Sequence, residues 1–171
     1  MTDAFKFNTI PKMPIRIQTN QFNLQRQLMN ITAIPFVEKV GITRHSSGLL
    51  ELPFNSGLHN HLQTIHASAQ FALAETASGD FLQTQFPQLV GKVVPVLRDA
   101  QVKFKKPAIK TIRAATSVSN DTLQAFNDRF SQKDRASIVI DVEIKDADDT
   151  VTCVASFNWF IQRIDDTRIS D

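Results

Sequence analysis

Few residues in this sequence pair a reactive side chain with a setting that suggests chemistry. Glu75 is the only acid between Glu51 and Asp80, and it stands in a run of small and apolar residues. A carboxylate there can attack an electrophile or activate water. Read without further context it is equally an ordinary solvated helix position, as most glutamates are. Upstream lie Asn60 and the histidines His59, His61 and His66. Asn60 can position a substrate or cap a turn. His66 reads as a structural histidine rather than an acid–base group. The three imidazoles invite a metal, but no cysteine or clustered aspartate accompanies them, so no metal site is expected.

Other nucleophile patterns fail. His45, Ser46 and Ser47 lack a Gly-x-Ser-x-Gly elbow. There is no Gly-x-x-x-x-Gly-Lys phosphate loop. The sequence has no tyrosine at all, which excludes a catalytic tyrosine. Cys153 falls on the apolar side of an alternating segment and reads as core.

The remaining candidate is electrostatic. Lys92, Arg98, Lys103, Lys105, Lys106, Lys110 and Arg113 share their segment with one acid, Asp99. The segment carries +6 in a chain of net charge +2, which leaves −4 for the remainder. A solvated strand face and a landing site for phosphates both fit Lys103, Lys105, Lys106 and Lys110. The small net charge and the absence of tyrosine argue against a nucleic-acid partner.

The elements that must hold these groups can be read from periodicity. The first twenty residues, with Pro11 and Pro14, read as an extended lead-in. Asn20 can cap a short helix carrying Leu24, Leu28 and Ile31, ended by Pro35. Phe36 to Phe54 reads as two short strands about Ser46-Ser47-Gly48. From about Thr64 to Gly79 the pattern is helical, with Ile65, Ala69, Ala72, Leu73 and Thr76 on one stripe and small residues nearly all round. Such a helix can be approached closely from most sides, as when a sheet wraps it. Gly79 reads as its stop. Strands follow around Ala100–Phe104 and Ile112–Val118, then an amphipathic helix over Asn120–Ser131 with Leu123, Phe126 and Phe130 on one side. A hairpin closes the pattern: Ile138 to Ile144, a turn at Asp146–Asp149, and Val151 to Ile161. The order gives an α+β chain, one sheet around one helix.

At 171 residues the chain suits one domain, with residues 1–35 as an N-terminal extension carrying the short helix and 36–164 as the core. A chain this long buries about 70% of its unfolded surface and needs no staple. Its single cysteine cannot form an internal disulfide, and residues 1–20 contain no apolar run of signal-peptide length, so a cytoplasmic, non-membrane protein is expected.

The stretch Asn60 to Gly79, NHLQTIHASAQFALAETASG, resembles the helix of the hotdog-fold acyl-CoA thioesterase superfamily. It is most similar to the phenylacetate-pathway and 4-hydroxybenzoyl-CoA thioesterase-like branch. In that branch an Asn or Gln precedes a His-Gly-Gly by six residues and an acid follows the His by nine. Asn60, His66 and Glu75 keep both spacings. The segment Lys105-Lys106-Pro107-Ala108 is similar to a strand end of the same branch, and the resemblance covers about Phe36 to Ile164. The departure is Ala67-Ser68 in place of Gly-Gly, which keeps the backbone donors but adds side chains at the approach.

The resemblance implies a hotdog fold, an antiparallel sheet wrapped around a central helix, and hydrolysis of acyl-CoA thioesters to free acid and coenzyme A. It implies Glu75 as the catalytic carboxylate, the Ala67 N–H as the group that polarises the thioester carbonyl, Asn60 as a positioning group and His66 as the shaper of the turn. Ser68 would border the substrate, with Lys103, Lys105 and Lys106 toward the nucleotide. No cofactor is implied beyond the coenzyme A of the substrate. The assembly implied is a homodimer, or a tetramer built as a dimer of dimers. The alternative activity is a non-catalytic hotdog protein that binds acyl thioesters without turning them over. The chemistry is self-consistent: thioester hydrolysis develops negative charge on the carbonyl oxygen, and free N–H groups in a first helical turn stabilise it.

Overall fold

The computed structural model describes residues 29–164. Most of the predicted helix from Asn20 lies outside them; its last apolar residue, Ile31, sits in a 3-10 turn, Ile31–Ala33, capped by Asn30. Pro35 opens a helix rather than ending one: α1 spans Pro35–Val40 and stops at Gly41, whose φ of 83° is left-handed. Proline suits the first helical position because its missing N–H would be unpartnered there anyway. The expected first strand therefore shrinks to β1, Thr43–Arg44, which pairs with β2, Leu50–Leu52, around the Ser46–Gly48 turn.

Helix α2, Ala67–Gln85, is the long central element. It starts three residues later than periodicity predicts and runs through Gly79 rather than stopping there. The actual stop is Phe86, followed by a Pro87–Leu89 3-10 turn. Gly79 has helical geometry, so its freedom to adopt positive φ is unused. Next come β3, Val93–Phe104; β4, Ile112–Ser117; α3, Asn120–Lys133; β5, Arg135–Asp146; and β6, Val151–Arg163. Ser119 caps α3 by accepting from the Thr122 N–H, and Asp134, at φ 52°, ends it. Phe126 and Phe130 bury the inner side of α3, with Phe126 against Phe86 at the end of α2.

The six strands form one antiparallel sheet in the order β1-β2-β4-β5-β6-β3. Its concave face supplies Leu52, Ile112, Ala114, Ile138, Ile140, Ile144, Cys153 and Phe157, all essentially without exposure. Helix α2 packs chiefly on β2, β4, β5 and β6. It buries Ala69, Leu73, Thr76 and Ala77 there, side chains short enough for the sheet to close on several sides of the helix. This is the hotdog fold, an α+β sheet wrapped around a central helix. No helix among the described residues is long and apolar enough to cross a membrane.

Two features align α2 in the sheet. The Trp159 indole N–H donates to Ser78 Oγ at 2.9 Å, and that hydroxyl donates to the Glu75 carbonyl oxygen at 2.7 Å. On the other side Arg44 donates both guanidinium nitrogens to the buried Asp80 carboxylate, at 2.9 and 2.8 Å, and also reaches the Gly48 carbonyl. Planar two-point pairing of this kind fixes direction as well as distance. Arg44→Ala leaves Asp80 under-partnered in the interior and is expected to cost about 1–3 kcal/mol. Urea denaturation should show a lower midpoint at unchanged slope; an unchanged midpoint would remove the pair from the forces holding α2.

Candidate active site

The segment before α2 is closed by its own hydrogen bonds. The Asn60 amide is the hub: its Oδ1 accepts from the Leu62 and Thr64 N–H groups, and its Nδ2 donates to Thr64 Oγ1. The backbone adds Asn60 N–H to the Thr64 carbonyl and Gln63 N–H to the Asn60 carbonyl, with Gln63 at φ 58°. His59 bridges Ile65, the His66 N–H reaches the Leu58 carbonyl, and the Ile65 N–H reaches the Ala108 carbonyl. The last bond ties the start of α2 to the segment that follows Lys105-Lys106-Pro107.

His66 is the N-cap. Its Nδ1 accepts from the Ser68 N–H at 3.1 Å, and its carbonyl accepts from Ala69 and Gln70. An Nδ1 that accepts carries no proton, so the ring hydrogen resides on Nε2. A helix start presents four N–H groups without helical partners. Here three are taken, and the Ala67 N–H alone has no acceptor among the described residues. It is half-buried, with Ser68 exposed beside it. The junction therefore offers one aimed donor at the positive end of a 19-residue helix.

Glu75 lies eight positions along α2 from Ala67, about 12 Å at the helical rise. It is half-buried and has no hydrogen-bond or ion-pair partner among the described residues. Burial holds its carboxyl pKa above the usual value. Ser68, Phe71, Glu75 and Gly79 share one side of the helix by spacing, and this is the side that the sheet leaves open. Phe71 meets Phe157 edge-on at 5.6 Å, and Gly79 faces the Trp159 ring. Along the helix Glu75 stands between Phe71, which meets Phe157, and Gly79, which faces Trp159. The β3 neighbours of Phe157 and Trp159 are Ala100 and Leu97, and the sheet bulges there at Arg98. Bulges concentrate at sheet edges and beside functional sites.

The structure gathers Asn60, His66, Ala67 and Ser68 at one junction and holds Glu75 apart from them within the chain. The lysines divide. Lys103 pairs with Val154 on the sheet face opposite α2. Lys105 and Lys106 leave β3 at the end nearest the α2 start; both backbone N–H groups bond to the Thr152 carbonyl, and both side chains are exposed. They border an open groove together with Lys103, Phe104, Asp149 and Thr150. Lys110 is ion-paired to Asp148. His59 packs on Phe54 at 4.4 Å, His61 is exposed and His66 caps, so the three imidazoles serve three separate purposes. Two groups escaped the sequence reading: the buried Gln70, which donates to the Ile65 carbonyl, and Gly79. Gln70 looks like any polar residue of a helix, and only burial marks it.

Because burial raises the Glu75 pKa, the folded state binds its proton more tightly than the unfolded chain does. The ionised carboxylate therefore costs stability. The cost is absent below the unfolded glutamate value of about 4.3 and is complete once pH has risen through the folded value. Glu75→Gln should raise Tm at neutral pH and lose that advantage in acid. An equal Tm difference at every pH would show that Glu75 is not desolvated.

The fold and site can now be set beside known proteins. The described family model that matches residues 26–161 is "Domain of unknown function (DUF4442)", and the chain belongs to that family. No curated protein matches the sequence. Among solved structures it is similar to PA5026 of Pseudomonas aeruginosa, a probable thioesterase, at 20% identity and TM-score 0.68, over 83% of this chain and 95% of that one. It is similar to BH2602 of Bacillus halodurans, solved with CoA, at 18% identity and TM-score 0.58, over 74% of each chain. It is also similar to the E. coli PaaI protein of the phenylacetic acid degradation operon, at 16% identity and TM-score 0.54, over 78% and 86%. At these identities the likeness is one of fold, and the fold is that of hotdog thioesterases.

Proposed function

We propose that this DUF4442 member hydrolyses acyl-CoA thioesters to the free acid and coenzyme A. The observation that carries the reading is the pairing, on one helix of a hotdog fold, of a lone unpartnered N–H at Ala67 with a lone unpartnered carboxylate at Glu75. The Ala67 N–H polarises the thioester carbonyl and takes up the negative charge that develops on its oxygen. Glu75 either attacks the carbonyl carbon or removes a proton from the water that does. In both routes the C–S bond breaks, the sulfur leaves and is protonated to the free thiol, and water supplies the new oxygen of the acid. A CoA-bound structural relative agrees with such a substrate.

The same geometry supports a site shared between two chains. A donor and a carboxylate about 12 Å apart on one helix cannot both reach one carbonyl group. Two antiparallel helices from two protomers bring the start of one to the middle of the other. The long edge strand β3 supports this assembly: Leu97, Ala100 and Val102 on its α2 side are only half-buried, and Val96 and Phe104 are exposed. An apolar edge left open invites another chain. Twofold pairing gives two sites per dimer. In this reading Asn60 and His66 act as positioning residues, holding the turn that presents Ala67.

Glu75→Gln is expected to abolish thiol release from acyl-CoA while far-ultraviolet circular dichroism stays unchanged. Asn60→Ala and Glu75→Ala should each be inactive alone. Refolded together, mixed dimers hold one site with both changes and one with neither, so activity should return. Verified mixed dimers that stay inactive would remove the shared site, and wild-type turnover by Glu75→Gln would remove the carboxylate from the chemistry. A wild-type chain that binds acyl-CoA without releasing thiol would leave the binding-protein alternative standing.

Lys105 and Lys106 are proposed to meet the phosphates of coenzyme A, with Lys103 on the rim of the same groove. Lys105→Gln with Lys106→Gln should raise KM for an acyl-CoA several-fold. KM for the same acyl group on a short thiol without the nucleotide should hold. Equal effects on both substrates would reject the assignment, because a nucleotide contact acts only when the nucleotide is present.

A further inference from the structure

Beyond Glu75 this side of α2 leads to a partly open apolar hollow. One turn along, Gly79 borders a cavity of about 140 Å³ lined also by Leu82, Phe86, Leu89, Val93 and Ile161. The lining includes one polar side chain, Gln83, and no charged residue. A cavity of about 150 Å³ walled by Leu, Ile and Phe stays dry and takes up benzene, a six-carbon body. Gly79 itself is the second observation. Glycine in a helix interior costs about 1 kcal/mol relative to alanine, so a helical glycine usually answers a steric need. None exists here: a Cβ at Gly79 would stand 3.8 Å from Trp159, an ordinary contact. The absent side chain does, however, leave room at the cavity wall one helical turn from Glu75.

We infer that Gly79 is the doorway of an acyl-chain chamber and sets which chain lengths the enzyme accepts, with a medium-length straight-chain acyl group as substrate class. The inference rests on the thioesterase reading for the position of the carbonyl. With that carbonyl at Glu75, the chain must travel about 6 Å along the helix to pass Gly79. An acetyl group ends short of the doorway. A benzoyl ring, attached directly to the carbonyl, stays at the level of Glu75. A straight chain of medium length passes through and fills the space. A methylene moved from water into the cavity gains about 0.8 kcal/mol, roughly a fourfold rise in kcat/KM for each one that passes Gly79.

The test uses the full-length protein, Gly79→Ala and Gly79→Leu. Straight-chain acyl-CoAs of two to sixteen carbons are compared with benzoyl-CoA by thiol release. Wild type should climb about fourfold per methylene over the lengths that enter the chamber, then level off or fall. Gly79→Leu should lose the climb, its ratio of medium-chain to short-chain kcat/KM falling toward one, and Gly79→Ala should lie between. Both variants should melt at or above the wild-type temperature, since each removes a helical glycine. A second readout needs no turnover. Trp159 is the only tryptophan and lies beside Gly79, so a medium-chain acyl-CoA brominated at its chain end should quench the fluorescence of wild type and not of Gly79→Leu. A climb unchanged in a folded Gly79→Leu, or quenching equal in both proteins, overturns the inference. So does a wild type that prefers benzoyl-CoA. Quenching without any thiol release keeps the chamber and removes the hydrolase reading, so the two can fail separately.

Discussion

A helix enclosed by a sheet has little room for side chains, and that constraint organises this molecule. Helix α2 meets it with Ala69, Ala72, Ala74, Thr76, Ala77 and Ser78, all buried. Each removes little apolar surface by itself, so most of the core's bulk comes from elsewhere: Phe157, Ile138, Ile140 and Leu52 of the strands and Phe126 of α3, with Leu73 the one fully buried large side chain of α2. The consequence is a helix whose position is set by the sheet rather than by its own bulk. The few directional contacts along it, Trp159 to Ser78 and Arg44 to Asp80, then decide where its open side faces. A polar bond between buried partners is costly to leave unmade and so resists sliding of the helix.

The same enclosure explains why donor and carboxylate stand apart. The enclosed helix offers two places for reactive groups, its first turn and the strip of surface the sheet leaves uncovered. Backbone N–H groups are free only at the first turn; an acid without a counter-charge, unlike Asp80 with Arg44, is tolerable only on the strip. The two cannot coincide, because the first turn is already occupied by the turn that Asn60 and His66 build. A single chain therefore keeps the free donor and the carboxylate apart, and the half-exposed edge strand β3 lies beside that strip.

Much of this was legible in the sequence, for reasons that differ by element. The alternation of β5 and β6 is strict because one face is core and the other solvent, so Ile138, Ile140, Val142 and Ile144 declare themselves. The small-residue helix was visible because nothing else tolerates alanine on so many sides. What failed was local. Pro35 and Gly79 are both punctuation marks read with the wrong sign: a proline opens helices as readily as it ends them, and a glycine ends a helix only where φ turns positive. The first half of β3 was missed because Pro95 and the bulge at Arg98 interrupt its alternation. At the candidate site, the spacing of Asn60, His66 and Glu75 maps onto one loop and the helix that follows it. That Asn60 is consumed by its own turn, and that Lys103 faces away from α2, depend on rotamer and register, which spacing does not encode.

Three features of α2 work against its stability, and all lie on or beside its open strip. The Ala67 N–H lacks a partner, Glu75 is desolvated without a counter-charge, and Gly79 weakens the helix interior. Each has a simple remedy in sequence: an acidic cap, a glutamine, an alanine. Much of the rest of the helix is satisfied: His66 caps it, Ser78 and Thr76 place their hydroxyls on its own carbonyls, and Asp80 is paired. Three local rules broken along one strip mark a surface shaped by something other than folding. The three breaks follow one line along the helix, from a donor through a carboxylate to an apolar hollow.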